Sequence, residues 1–243
     1  MDGTLLGRRA SLFHDGDGAF TMLGARALEA CARAAVEVVP YSGRRHSTLL
    51  HNAVMLGLSS FIYEAGAGVV LDGEVMWAAE ETDDAAANAL LLERYAGRLE
   101  MYDPWNLGRA SSRLYLGQDI SAAEADELLI EEGFGGWRLV DNGVMHGAPS
   151  GRAYHLIPRS ASKAGAVARH MQARAYTPEE VIAVGDSMED LGAASVVGTF
   201  WLVANAEPEV HDTALGVPNV RVAEGANGAG VYEAIITELA ERR

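Results

Sequence analysis

Apolar residues in this chain come in short bursts spaced by stretches of helical character. The alanine-rich segment 25–35 reads as a helix. Val36-Glu37-Val38-Val39-Pro40 follows as a short β-branched run that predicts a buried strand. It ends at Tyr41-Ser42-Gly43-Arg44, which places a small hydroxyl and a glycine at a strand tip. His46 to Leu58 is helical again and Phe61-Ile62-Tyr63 is strand-like. Val69-Val70-Leu71 and Val75-Met76-Trp77, joined across Asp72-Gly73, read as a hairpin. This alternation predicts an α/β fold, a Rossmann-like parallel sheet with helices on both faces.

After Trp77 the rhythm changes. An acidic loop at Glu80 to Asp84, a helix from Ala85 to Leu99, a strand at Arg113 to Leu116, a helix at Ala122 to Glu132 and a strand at Trp137 to Val140 predict an inserted α+β cap. Alternation resumes with a strand at Tyr154 to Pro158, a helix from Ser162 to about Arg174 and a helix start at Thr177-Pro178-Glu179-Glu180. The strand Val181–Val184, a helix from Met188 to Ser195, the strands Phe200–Val203 and Val220–Val222, and a closing helix from Val231 to Glu241 complete the pattern. The expected organisation is a core built from 1–80 and 152–243, with a cap over 81–151.

Composition narrows the function classes. With 243 residues and 49% apolar content the chain can bury a substantial core. It lacks the ~18-residue apolar run of a membrane helix and the features of a secretion signal, so a soluble cytoplasmic protein, monomer or homodimer, with no membrane partner is expected. One cysteine, Cys31, makes no internal disulfide and is assigned to helix packing. The net charge of −15 argues against a nucleic-acid partner. Eighteen of the basic residues are arginine and one, Lys163, is lysine. A compact ammonium on a flexible stem is not replaceable by a planar fork, which makes Lys163 a functional candidate beside the plainer reading of a stray surface lysine.

Four loops fall at the C-terminal ends of predicted parallel strands or at a helix start, where open α/β sheets place their sites. They carry Asp2, Ser42, Lys163, and the pair Asp186 and Asp190 within Gly185-Asp186-Ser187-Met188-Glu189-Asp190. Each has a structural alternative. Asp2-Gly3 can be a turn, Ser42-Gly43 an ordinary loop, and Asp186-Ser187 a helix cap. Asn205 after a strand is often a turn residue, and Gly225 to Gly230 reads as the loop before the last helix. The seven histidines show no metal-ligand spacing.

This set, in this order, resembles the haloacid dehalogenase superfamily, in the phosphatase branch with a large α+β cap. Met1-Asp2-Gly3-Thr4-Leu5-Leu6 matches the back half of the first motif, Asp-x-Asp-Gly-Thr-Leu-Leu. Tyr154 to Pro158, Ser162-Lys163 and Gly185-Asp186-Ser187 look most like sugar-phosphate members such as mannosyl-3-phosphoglycerate and sucrose-phosphate phosphatases. The resemblance implies a magnesium-dependent phosphatase acting on a small phosphorylated metabolite, a sugar phosphate or glycosyl-phosphoglycerate, through a phosphoaspartate. Asp2 becomes the acid/base, with its carbonyl toward the metal. Ser42 hydrogen-bonds the phosphoryl group, Lys163 neutralises it, and Asp186 with Asp190 holds Mg2+. Gly43, Arg44 and Asn205 become substrate-binding candidates. The nucleophilic aspartate would fall one residue before Met1, so a start lying upstream is expected. A phosphosugar mutase of the same fold, or a binding or regulatory relative without activity, is the alternative. Two positions depart from the family pattern: Ala164 stands where relatives often carry glycine, and Ala65 replaces the asparagine of a Glu-Asn-Gly-Ala segment.

Overall fold

The computed structural model describes residues 1–77, 83–145 and 151–242. In chain order the strands are β1 (Phe61–Tyr63), β2 (Gly68–Leu71), β3 (Glu74–Trp77), β4 (Leu99–Met101), β5 (Arg113–Gly117), β6 (Trp137–Met145), β7 (Gly151–Pro158), β8 (Ile182–Gly185), β9 (Thr199–Leu202) and β10 (Val220–Val222). The helices are α1 (Leu23–Arg33), α2 (His46–Met55), α3 (Ala85–Arg94), α4 (Asp103–Asn106), α5 (Ala122–Glu131), α6 (Lys163–Arg174), α7 (Met188–Leu191), α8 (Pro208–Ala214) and α9 (Gly228–Glu241). The fold is mixed α/β with two compact units, 1–40 with 167–243, and 41–166. No helix among the described residues is long and apolar enough to cross a membrane.

In the first unit β8, β9 and β10 form a parallel sheet in the order β10-β9-β8, with Ile182 opposite Thr199 and Val220 opposite Phe200. Helix α9 packs against β9 and α1. Trp201, Ala223 and Ala234 make a buried cluster backed by Ile182 and Val184. The Trp201 Nε1–H donates to the buried Glu238 carboxylate at 2.9 Å, so neither polar group is left without a partner. Cys31 is buried on α1, as expected of a packing residue, and burial pushes its thiol pKa up.

In the second unit β1, β2 and β3 form an antiparallel meander. Its hairpin turn takes the left-handed backbone at both Asp72 (φ 50°) and Gly73 (φ 90°), which is why Asp-Gly serves there. A second antiparallel sheet has the order β4-β5-β7-β6. Leu91, Leu129, Tyr115, Tyr154 and Leu156 form its buried core together with α3 and α5. Ser121 caps α5 by accepting the Glu124 amide at 3.2 Å.

Several elements differ from the sequence reading. Val36–Pro40 is not a strand, because no described pairing reaches it; only Tyr41 bridges to Ile62, and Glu37 pairs with Arg174 at 2.9 Å. Phe61–Tyr63 joins an antiparallel sheet rather than extending a parallel one. The segment at 154–158 belongs to the longer β7, which lies between β5 and β6 in the antiparallel sheet. The helix expected to reach Leu99 stops at Arg94, and Leu99 opens β4. Thr177 to Glu180 makes one tight turn, with the Thr177 amide donating to Glu180 at 2.8 Å, and not a sustained helix. Of the acidic loop at Glu80–Asp84, residues 80–82 lie outside the described residues.

Leu129 is fully buried while Leu50 on α2 is 38% exposed. Leu129→Ala should lower the unfolding free energy by about 2–5 kcal/mol in urea melts. Leu50→Ala should change it by about 0.5 kcal/mol. Equal costs would overturn the assignment of the α3–α5 face as a core.

Candidate active site

In the first unit three distant stretches meet at the ends of β8 and β9. The chain start folds into a tight loop in which Leu5 and Leu6 both donate their amides to the Met1 carbonyl, at 3.0 and 3.1 Å. Gly3 there has φ +76°, and a Cβ on it would collide with the Asp186 carboxylate. Glycine is therefore required twice over, for backbone and for space. Thr4, itself buried, donates its hydroxyl to Asp186. The Gly3 carbonyl accepts from the Asn205 side chain at 2.8 Å and from the Asn227 side chain at 2.6 Å. The Asn227 amide donates back to Asn205 Oδ1 at 2.7 Å, which closes the network.

Gly185 ends β8, and a side chain there would run into Asp190. Ser187 caps the short α7 by accepting the Asp190 amide at 3.3 Å, while the Asp190 carboxylate accepts the Asp186 amide at 3.3 Å. The capping alternative is thus true of Ser187, and the two acids stand on the turn it shapes. Asp190 is buried, Asp186 is half-buried and Asp2 is exposed. The structure brings Asp186, Asp190 and Asn205 into the loop cluster that also holds the Asp2-Gly3 turn. Asn227 belongs to this cluster and was missed. Its signal was present as an asparagine in a glycine-rich loop, and it holds a left-handed φ of 50°.

These donors suit magnesium. They are carboxylate and backbone oxygens, and Mg2+ uses one or two carboxylates and keeps several waters. No group of three or more His, Cys, Asp and Glu suited to a metal occurs among the described residues.

Ser42, Gly43, Arg44 and Lys163 belong to the second unit. Ser42 is buried, takes its amide to the Ile62 carbonyl at 3.0 Å and accepts the Arg44 amide on its hydroxyl at 3.2 Å. Lys163, 4% exposed, is the first residue of α6, and its ammonium lies 5.8 Å from the Tyr41 ring centre. It is no stray surface lysine.

A strained turn connects these stretches. Glu64 and Ala65 both have left-handed φ, 47° and 56°, and Gly66 follows at +99°. Ala65 donates its amide to the Ser42 carbonyl at 3.1 Å and Glu64 donates to the Arg44 carbonyl at 2.9 Å. Gly66 packs so closely on Ser162 and Lys163 that a Cβ would overlap their backbone. The Glu64 carboxylate, with no solvent exposure, accepts from the amides of Ala110 and Ser111 at 3.0 and 2.9 Å and from the Ser112 hydroxyl at 3.0 Å.

Arg109, at the start of that loop, donates to the Gly43 carbonyl and to Ser112 Oγ, each at 2.9 Å. Burial lowers its pKa, against the raising effect of Glu64. His155 on β7 is 2% exposed, its Nδ1 has no hydrogen-bond partner, and Gly43 packs against its ring. Burial first, then the charges of Arg109 and Lys163, hold its pKa well below the ordinary histidine value. Glu64, Arg109 and His155 lay outside the sequence-derived candidates, since their partners are remote along the chain and no local pattern marks them.

A family model described as haloacid dehalogenase-like hydrolase matches residues 148–235. A phosphoglycolate phosphatase of Methanothermobacter thermautotrophicus is 25% identical over 97% of this chain and 94% of its own length. One from Archaeoglobus fulgidus is 26% identical over 97% and 92%. Among solved structures, the sucrose-phosphatase of Synechocystis, in complex with sucrose and phosphate, superposes with a TM-score of 0.69 at 18% identity, covering 97% of this chain and 95% of that one.

The His155 ring yields a stability test. Because the folded ring binds its proton more weakly than the unfolded one, stability is fully present above about pH 6.5 and is lost as pH falls below it. Urea melts between pH 7.5 and 5 should show His155→Gln losing less stability than the native protein on acidification, the difference approaching at most about 1.4 kcal/mol per pH unit. Parallel pH profiles would show that His155 titrates normally.

Proposed function

We propose that the chain is a haloacid dehalogenase-like hydrolase and, from that premise, a magnesium-dependent phosphatase of a small phosphorylated metabolite. The observation that carries the reading is the loop cluster of the first unit. There the Gly3 turn, Asp186, Asp190 and Asn205, which resemblance alone had grouped, share one hydrogen-bonded network. The family pattern gives each residue its work. Asp2 protonates the leaving alcohol and then takes a proton from the attacking water. Ser42 donates a hydrogen bond to a phosphoryl oxygen, and Lys163 offsets the charge that gathers on the transferring group. Asp186 and Asp190 would hold Mg2+, which when bound supplies further charge neutralisation at the phosphoryl group.

The family pattern would carry the phosphoryl group through a phosphoaspartate. Splitting the transfer in two replaces one difficult displacement by two easier ones. An α+β insert over 81–151 is proposed as the cap that selects the substrate, with Gly43 and Arg44 as binding residues from outside it. A sugar phosphate or a glycosyl-phosphoglycerate fits the motif resemblance. The names of the full-length relatives add phosphoglycolate to these classes. A cytoplasmic location, as monomer or homodimer, completes the proposal.

The test follows inorganic phosphate release from p-nitrophenyl phosphate and from 2-phosphoglycolate, using the reading frame extended upstream in frame. Release that depends on Mg2+ supports the reading, and none in the extended protein overturns it. In that protein Asp186→Asn should abolish the Mg2+-dependent release. Lys163→Arg should cost at least about 100-fold in kcat, since a flat guanidinium does not reproduce a compact ammonium. Near-native turnover of Lys163→Arg would remove Lys163 from the machinery.

A further inference from the structure

Three polar side chains of the second unit gather around Gly43, and the roles assigned above use none of them. The Gly43 carbonyl holds one arm of Arg109 at 2.9 Å. A Cβ on Gly43 would meet the His155 ring at 3.1 Å and the Asn142 side-chain nitrogen at 3.4 Å, so glycine lets both approach the backbone beside Ser42. Asn142 is aimed there by an irregularity in β6, whose pairing with β7 shifts register between Asp141 and Val144. Gly143, with φ +86°, and Asp141, which accepts the Gly143 amide at 2.8 Å and Arg152 at 2.8 Å, fix that irregularity. Tyr154 and Leu156 fill the core face of β7, which leaves His155 on the opposite face.

The donors in this group are not used up. Arg109 commits Nε to the Trp105 carbonyl at 2.9 Å and Nη1 to Gly43 and Ser112. Among the described residues its Nη2 donates to nothing, and neither does the Asn142 amide. Glu64 is the nearby carboxylate, but its oxygens are taken by the 110–112 loop, and it makes no ion pair with Arg109 among the described residues. Glu64 acts on this half-buried guanidinium only through space, and burial outweighs that effect, so a further anion in contact with it would offset the cost. The neighbouring His155, buried with Nδ1 unpartnered, adds polarity but no positive charge. N–H groups on two planar heads held beside the same glycine are of the kind that pairs with the two coplanar oxygens of a carboxylate.

We propose that Arg109 and Asn142, gathered with His155 around Gly43, bind a carboxylate carried by the substrate. The preferred substrate is then a small phosphorylated carboxylic acid and not a neutral sugar phosphate. The subsite adjoins Ser42, the residue assigned to the phosphoryl group, so a short acid presents both anions to neighbouring residues. This inference rests on the phosphatase reading and narrows it.

The test is titration calorimetry on the full chain with Mg2+, comparing 2-phosphoglycolate with ethyl phosphate, which has a methyl group in place of the carboxylate. The native protein should prefer phosphoglycolate by about 10- to 100-fold, the worth of hydrogen bonds to a charged group. Arg109→Ala and, separately, Asn142→Asp should bring that ratio down to within about 3-fold of parity. Asn142→Asp puts a negative charge in the subsite without touching the backbone contacts of Arg109, so it remains decisive if Arg109→Ala does not fold. A native ratio near one, or a preference that survives Asn142→Asp, overturns the subsite while leaving the phosphatase reading in place. Tighter binding of glucose 6-phosphate than of phosphoglycolate also overturns it. Binding of none of these phosphates removes the phosphatase reading and the subsite together.

Discussion

A carboxylate with no exposure to water must find donors for both its oxygens, and Glu64 finds them in one loop, 110–112. That requirement organises the second unit. Its backbone is bent left-handed at two successive residues without glycine's freedom, each worth on the order of 1–3 kcal/mol of strain. The strain is held because Ser42 and Arg44 accept the two amides on one side of the turn and Gly66 packs on the start of α6 on the other. One buried acid therefore sets the spacing of Ser42, Lys163 and Arg109, three residues that the chain separates widely. Replacing the family's asparagine by Ala65 leaves this scaffold intact, because the work is done by the carboxylate before it and the glycine after it.

The first unit solves a similar problem with neutral groups. The Gly3 carbonyl is the common acceptor for two asparagine side chains, and the left-handed Asn227 turns its own amide back to Asn205. Asn205 is thus a structural tie, and its turn chemistry and its place in the loop cluster are the same fact. Capping does likewise for the acids: Ser187 accepts the Asp190 amide, and Asp190 in turn accepts that of Asp186. Residues that fix backbone and residues that face chemistry are chained by single hydrogen bonds, so a lost cap is felt at the proposed metal ligands.

Features written locally were legible in the sequence, and features that depend on distant partners were not. Asp72-Gly73 demands a left-handed pair whatever surrounds it, and Gly185-Asp186-Ser187 announces a strand end and a helix cap within six residues. Val36–Pro40 has the composition of a strand but no partner among the described pairings, and composition cannot supply one. The β7 segment reads as a buried apolar run in either a parallel or an antiparallel sheet, and only its pairing with β5 and β6 decides. Arg109 and Asn142 carry no periodic signal. They become visible only when the bulge in β6 and the Glu64-held loop bring them to Gly43.

The charge distribution gives this arrangement a further consequence. A chain with a net charge of −15 repels a dianionic substrate at long range. At physiological ionic strength that repulsion fades over about 8 Å, whereas contacts inside a buried cluster are screened far less. Attraction must then come from cations held close and partly dehydrated, and Arg109 and Lys163 meet that condition. Burial first, and then the charges of Arg109 and Lys163, hold the His155 pKa well below the ordinary histidine value, so the ring does not compete with these cations for an anion. A cluster built this way discriminates by contact rather than by steering. It favours the ligand whose second anion reaches the fixed donors and gives little to one that brings a phosphoryl group alone.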